Sequence, residues 1–577
     1  MQRRQALQKM LGAIPTFIAM SNSLPAKLFA RAATPSGNAL RMPPTISGGT
    51  MTLAQSNVVV WPNTTTQVIA INNSYPGPTV RIQKGQTLNV VFRNQLNQPS
   101  NIHWHGLVVP EKMDGHPKDA IAPAGTYTYT FPIIQRAGTY FYHAHPHELT
   151  GSQVYKGFSG FFIIDDPDEA KLGLPTGNYD VPLVIQDRRA ASQPQFTYNP
   201  NMMEVMDGYL GDLALVNGTP DAYLEVSRTL YRFRILNGSN ARVYQLAFSD
   251  NRAFHVIGTD GGLIEAPAQV TSSFLSPGER LDILVDFSSD QLGQSVSLKS
   301  LPFDAMNMGT YQQGIEMNLL RFDVARSESS GGIVPASLTP IAYYNPNDAV
   351  RTRSFLLTMN DHAMSGMHRI NDKVFDVNRI DENVPLQELE LWKIANYTEE
   401  YHPMHVHGVQ FQVLDRSFNP TLPPADKGWK DTVLVNPNEM VNVLIRFDAY
   451  AGIYLLHCHN LEHEDDGMML NLQVAKTTGV KDDSPVPQRY GLLHQNHPNP
   501  FTHTTTIQYE IATPQPASVD LRVYDNLGRQ VAVLVQQRQS SGVYEIPFWG
   551  NQLPAGVYFV KLQVNGSVYS KAIELVK

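Results

Sequence analysis

The sequence predicts an all-β protein made of several sandwich domains, and three observations carry that prediction. The chain holds 40 glycines and 40 prolines in 577 residues, a composition of many turns and therefore of short elements. Short apolar runs recur, among them Val58-Val59-Val60-Trp61, Gln67-Val68-Ile69-Ala70-Ile71 and Leu88-Asn89-Val90-Val91-Phe92, with turn chemistry such as Asn73-Ser74-Tyr75-Pro76-Gly77-Pro78 between them. Long helical periodicity is nearly absent. The length allows about four domains at roughly 150 residues each.

Composition narrows the class. Hydrophobic residues make up 42% and charged residues 17%, which suits a core-forming chain. Lys plus Arg number 44 and Asp plus Glu 52, so the net charge is 44 − 52 = −8. No long basic block is present, and nucleic acid is excluded as an expected partner. One cysteine, Cys458, rules out an intramolecular disulfide framework and any site built from cysteines alone.

In chain order, residues 1–32 open with Met1-Gln2-Arg3-Arg4, continue through a modest apolar run from Met10 to Met20, and reach Ala30-Arg31-Ala32 at cleavage-site spacing. The start resembles a twin-arginine export signal. No other apolar run is long enough to span a bilayer, so no membrane span is expected in the mature protein. A first strand-rich block covers residues 46–166 and closes on Asp165-Asp166-Pro167-Asp168. A second covers 167–325 and ends in the polar linker Arg326-Ser327-Glu328-Ser329-Ser330-Gly331-Gly332. A third covers 333–478, and the linker Lys481-Asp482-Asp483-Ser484-Pro485-Val486-Pro487 leads to a tail at 488–577. Blocks one and three share a layout of strands, a His-x-His pair, more strands and a second pair; the middle block lacks the pairs.

Those pairs are His103/His105, His143/His145, His405/His407 and His457/His459. Side chains at i and i+2 of a strand point to one face, so each pair aims two imidazoles at one place. Eight convergent imidazoles without carboxylates suit copper, zinc, iron or nickel. The same alternation sends Cys458 to the opposite face from His457 and His459. His463 and Met468 follow it, and His402 stands apart from His405 behind Pro403. Two imidazoles, one thiolate and a weak axial thioether form a blue-copper electron-transfer site, joined through the Cys458 backbone to the imidazoles on either side.

The motifs His-x-His-Gly, His-x-His, His-Pro-x-His-x-His-Gly and His-Cys-His-x3-His-x4-Met stand in the order and spacing of the multicopper oxidases, and the resemblance runs from about Ile46 to Ala475. It implies three cupredoxin-like Greek-key β-sandwiches and four copper ions. His402, Cys458, His463 and Met468 would hold the type 1 copper, and His103 and His405 the type 2 copper. The type 3 pair would take His105, His143 and His459 on one ion, and His145, His407 and His457 on the other. Asn237-Gly238-Ser239-Asn240-Ala241-Arg242, Gly258-Thr259-Asp260-Gly261-Gly262 and Gly428-Trp429-Lys430-Asp431-Thr432-Val433 are similar to the branch of bacterial cuprous oxidases, bilirubin oxidases and laccases. That branch implies proton-relay roles for Asp114 and Glu464.

The implied activity is laccase-type: one-electron oxidation of phenols or aromatic amines coupled to reduction of O2 to water. Thr398-Glu399-Glu400-Tyr401, before His402, carries no methionine, and Glu399 and Glu400 would put negative charge on the substrate side. Where the cuprous oxidases it resembles carry a long Met-rich insert in the third domain, this chain has only Met359-Asn360-Asp361-His362-Ala363-Met364-Ser365-Gly366-Met367-His368, which argues against a dedicated cuprous oxidase. Cu(I) oxidation in copper tolerance is the alternative within the family, and a copper-free scaffold the alternative outside it. The tail, with Gln495-Asn496-His497-Pro498-Asn499-Pro500-Phe501 and Leu553-Pro554-Ala555-Gly556-Val557-Tyr558-Phe559, resembles type IX secretion sorting domains and is expected to form a small β-sandwich. It implies passage through the periplasm to the cell surface or medium, with twin-arginine and type IX machinery as transport partners.

Overall fold

A computed structural model describes residues 37–305, 309–329, 331–360, 363, 365–419, 421–476, 491–511, 513, 515–525, 529–565 and 567–577. The expected export signal and the Lys481–Pro487 linker lie outside these residues, as do His362 and Met364. The chain divides into two compact units, Met1–Thr477 and Thr478–Lys577.

The first unit contains six sheets that pair into three sandwiches. Five- and four-stranded sheets enclose Leu53, Val90, Phe92, Trp104 and Phe162; seven- and six-stranded sheets enclose Leu183, Phe233, Ile283 and Phe322. Two five-stranded sheets enclose Phe355, Trp392, Val443 and Leu472. Strand Thr87–Asn94 shows how the sequence drives this. Leu88, Val90 and Phe92 alternate inward while Thr87, Asn89 and Arg93 face solvent. One parallel pairing recurs in each sandwich: Gly49–Val58 with Thr87–Asn94, Asp180–Arg188 with Leu230–Asn237, and Arg351–Met359 with Glu390–Asn396. Asn38–Ala39 pairs with the second sandwich, so the described chain edges that domain before building the first.

Six strands and four short helices matter for the site. The strands are β1 (His103–His105), β2 (Gly138–His143), β3 (Arg280–Asp286), β4 (His402–Val406), β5 (Thr432–Val435) and β6 (Gly452–Cys458). The helices are α1 (Glu111–Asp114), α2 (Thr150–Tyr155), α3 (Met202–Asp207) and α4 (Leu461–Asp465). Among the described residues no helix is long and apolar enough to cross a membrane.

The second unit is a smaller sandwich of three- and four-stranded sheets around Ile507, Tyr509, Leu521 and Leu562. Its longest pairings are antiparallel, Thr504–Ile511 with Gly542–Trp549 and Gly556–Val564 with Ser567–Leu575.

Candidate metal centre

Antiparallel register builds each half of the centre. In the first sandwich β1 lies against β2 with His103 opposite His143, and Trp104 turns into the core. In the third, β4 lies against β6 with His405 opposite His457, and Met404 opposite Cys458 in the core. The eight imidazoles of the four pairs are all buried. His145, His407 and His457 converge as one group, and His103, His105 and His143 as another. His459 Nε2 lies 3.4 Å from His143 Nε2, and His103 Nε2 lies 3.3 Å from His405 Nε2.

The tautomers expose what the cluster lacks. A carbonyl only accepts, so a ring nitrogen bonded to one carries the proton. His103 Nδ1 donates to the Asp114 carbonyl at 2.8 Å, and His405 Nδ1 to the Asp431 carbonyl at 2.8 Å. His457 Nδ1 donates to the Cys458 carbonyl at 3.0 Å, and His143 Nδ1 to that of Ala144 at 2.8 Å. Their Nε2 atoms are therefore lone pairs, and they point at one another. Burial holds His103, His105, His145, His405, His407 and His459 far below the ordinary imidazole range, and His143 at about 4. Nε2 atoms converging at 2.9 Å, as those of His407 and His457 do while both Nδ1 atoms are committed outward, fit a bound cation. His105 is turned the other way: Nε2 meets Asp431, and Nδ1 has no hydrogen-bond partner among the described residues.

A second donor set forms behind the first. Cys458 Sγ lies 3.5 Å from His402 Nδ1 and 3.7 Å from His463 Nδ1, and those two nitrogens are 3.2 Å apart. The outer nitrogens are tied away from the group. His402 Nε2 donates to Thr398 Oγ1 at 2.8 Å, and His463 Nε2 to the Met206 carbonyl of α3 at 2.8 Å. Asn460 caps α4, accepting from Glu462 N–H at 3.2 Å, and this brings His463 back beside Cys458 within one turn. Met468 is buried in the same core; its N–H donates to the His463 carbonyl and its own carbonyl accepts from Cys458 N–H. Burial pushes the Cys458 thiol well up, opposed by the Asn460 N–H at 3.4 Å. A thiol with two imidazoles, in a pocket that penalises the bare anion, suits a soft cation.

Two buried carboxyls flank the imidazole cluster. Asp114 Oδ2 accepts from His407 Nδ1 at 2.8 Å, while Oδ1 has no partner. Burial pushes the Asp114 carboxyl well above its ordinary range, the negative charges of Glu111 and Asp119 add to the rise, and Lys118 works against it. Glu464 places Oε1 at 3.5 Å from His145 Nδ1 and Oε2 at 3.1 Å from His457 Nδ1, and neither contact has hydrogen-bond geometry. Burial alone would raise its carboxyl; His145 and His457 outweigh burial and hold it at about 2. Glu399 and Glu400 part company. Glu399 is exposed and accepts from Asn438 Nδ2 at 3.3 Å, whereas Glu400 turns inward with Oε2 buried and unpartnered.

Four features escaped the sequence reading. Asp431 contacts His105 Nε2 through its carboxylate at 3.0 Å, and Arg280 of the second sandwich grips that carboxylate. Thr398 fixes His402, and the α3 carbonyl covers His463. His368, fully buried, stacks on His463 at 3.7 Å between ring centroids, with neither ring nitrogen hydrogen-bonded. The Trp-Lys-Asp-Thr string around Asp431 was a usable signal; His368 carries none.

The comparisons agree with this centre. Models of the multicopper oxidases match residues 52–169, 195–295 and 345–478, and a secretion system C-terminal sorting domain matches 496–575. The chain is 32% identical over 430 residues to the multicopper oxidase mco of Staphylococcus epidermidis, covering 74% of this chain and 88% of that protein. It is 31% identical over 471 residues to the laccase of Bacillus subtilis, covering 71% and 90%. The crystal structure of the McoA multicopper oxidase from Aquifex aeolicus superposes with a TM-score of 0.70 at 38% identity, covering 76% of this chain and 99% of that one. With its buried imidazole cluster, its Cys458 site and three matching domains, this chain belongs to the multicopper oxidases and carries a secretion sorting domain at its C-terminal end.

Proposed function

We propose that the protein is an exported laccase-type oxidase that takes single electrons from phenols or aromatic amines and passes them to O2, giving water. The observation that carries the reading is Cys458: it belongs to the His402–His463 donor set and is peptide-bonded to His457 and His459 of the imidazole cluster. Copper would be held as type 1 by His402, Cys458, His463 and Met468, as type 2 by His103 and His405, and as the type 3 pair by His105, His143 and His459 with His145, His407 and His457. When bound, it supplies electron transfer at Cys458 and oxygen reduction in the imidazole cluster.

The chain's own residues do the rest. The Cys458 backbone is a short bonded route between the two donor sets. Making water consumes protons in a site lined by neutral imidazoles, and Asp114 and Glu464 are the buried carboxyls able to hold and release them there. Asp114 offers Oδ1, and Glu464 offers both oxygens, none of them taken by a hydrogen bond. The Thr398–Glu400 turn and α3 cover the outer edges of His402 and His463, so the reducing substrate docks against these two segments. The sorting domain supports secretion to the surface or medium.

One observation favours a second reading, oxidation of Cu(I). Helix α3, Met202-Met203-Glu204-Val205-Met206-Asp207, meets His463 through the Met206 carbonyl, so a methionine-rich segment of the second sandwich lies against this donor set. O2 uptake with a phenol and with Cu(I), at equal copper-loaded enzyme, separates the two. Absence of an intense blue band after loading would refute the type 1 assignment.

A further inference from the structure

The second sandwich supplies no imidazole to the cluster, yet one of its side chains reaches it. Arg280, on β3, is fully buried. It donates NH1 to Asp431 Oδ1 at 2.7 Å and NH2 to Asp431 Oδ2 at 2.5 Å. Its remaining N–H groups go to carbonyls: Nε to Thr139 at 3.0 Å, NH1 to Gly278 at 2.8 Å and NH2 to Asp260 at 3.0 Å. Every donor of the guanidinium is thus in use, and the fork has one orientation.

Asp431 also meets two ligand candidates. Its carboxylate accepts from His105 Nε2 at 3.0 Å, and its carbonyl accepts from His405 Nδ1 at 2.8 Å. The first contact inverts a ring. His103, His143, His405, His407 and His457 all commit Nδ1 outward, whereas His105 commits Nε2 and is left with an unpartnered Nδ1. Space for the arm is reserved by Gly106, at φ +83°, where a Cβ would stand 2.4 Å from Asp431 Oδ2 and 2.7 Å from Arg280 NH2.

We propose that Asp431, locked by Arg280, is the positioning residue that makes His105 present Nδ1 to the metal cluster, so that the ligand-free middle domain sets the geometry of a ligand in the first. The inference rests on the copper reading above. A carboxylate on the outer nitrogen of a ligand imidazole fixes its tautomer and raises its basicity, and losing such a partner typically costs 10–100-fold in metal affinity. Thr432 Oγ1, 3.0 Å from His105 Nε2, can accept from the same nitrogen, and its own hydroxyl is oriented by donating to Asp431 Oδ1 at 3.0 Å, so both acceptors depend on Asp431.

The test is Asp431→Asn in the copper-loaded full chain, with Arg280→Lys beside it. Copper per chain is followed during chelator titration, together with the blue thiolate band and the paramagnetic resonance of the cluster. Asp431→Asn is expected to weaken copper retention in the cluster about 10- to 100-fold while the blue band per chain stays at the wild-type level. Arg280→Lys is expected to act the same way but less. Wild-type retention in both variants overturns the proposal. So does a blue band that falls in step with the cluster, or failure of both variants to fold, since either makes the arm a general support. A wild-type chain that loads without any blue band defeats the copper reading instead.

Discussion

His103 and His405 stand 302 residues apart in the chain, and their Nε2 atoms lie 3.3 Å apart. Each carries its proton on Nδ1, so the facing atoms are both lone pairs. The first and third sandwiches thus meet at a point that repels itself until a cation occupies it. Copper binding is expected to stabilise the first unit, by an amount that grows with the logarithm of the copper concentration over its Kd. Thermal unfolding followed with and without a chelator checks this: the melting temperature should fall on copper removal, and an unchanged value would count against a cluster spanning the two sandwiches.

Replacing Cys458 by Ser removes the soft donor while leaving His457 and His459 in place. The intense blue absorption and the oxidation of organic donors should both fall to background, and most of the cluster copper should remain. Copper analysis beside the absorption spectrum reads both at once.

Asp114→Asn and Glu464→Gln keep the shape of each side chain and remove its capacity to exchange a proton. O2 consumption should fall by about 10²–10⁴-fold in the relay-deficient enzyme, with the blue band retained. A loss of colour in parallel with activity would instead assign these carboxyls to holding His407, His145 and His457 in place.

Glu399 and Glu400 differ in exposure but share a turn with Thr398, which holds His402. Changing both to Gln should raise KM for a cationic aromatic donor more than for a neutral phenol, because only the cationic donor loses an electrostatic attraction. Equal effects on the two substrates would remove these residues from the docking surface.

His368→Phe keeps the stack on His463 and deletes two buried nitrogens that have no partner. Relieving an unsatisfied polar ring should stabilise the protein by about 1 kcal/mol, read by denaturant midpoint. A loss of stability would mean that the His368 nitrogens have partners beyond the described residues.

Much of this centre was legible in the sequence because strands have a two-residue repeat: His103/His105 and His405/His407 share a face by construction, and Cys458 is forced to the other. The sandwich class followed from turn density and from alternation such as Leu88, Val90 and Phe92. What stayed hidden depends on contacts between domains. Nothing near Arg280 signals that it will meet Asp431, 151 residues on, and nothing near Met206 signals that its carbonyl will cap His463. His368 was unreadable for a related reason: it arrives beside His463 through the pairing of His368–Ile370 with Arg351–Met359, and its single imidazole carries no spacing. The pairing of Asn38–Ala39 with the second sandwich also has no local cue, since two residues are too few for a pattern.

The outer sandwiches carry their His-x-His pairs on matching antiparallel strands. His143-Ala144-His145 and His457-Cys458-His459 occupy matching places, down to the imidazole that bonds the carbonyl of its own neighbour, at 2.8 Å in one and 3.0 Å in the other. Both middle residues are fully buried in their cores. A methyl group stands in one and a thiol in the other, and the thiol has the imidazoles of His402 and His463 beside it. Under the copper reading proposed above, that thiol, with His402 and His463 beside it, would give the cluster its electron entrance on the side of the third sandwich.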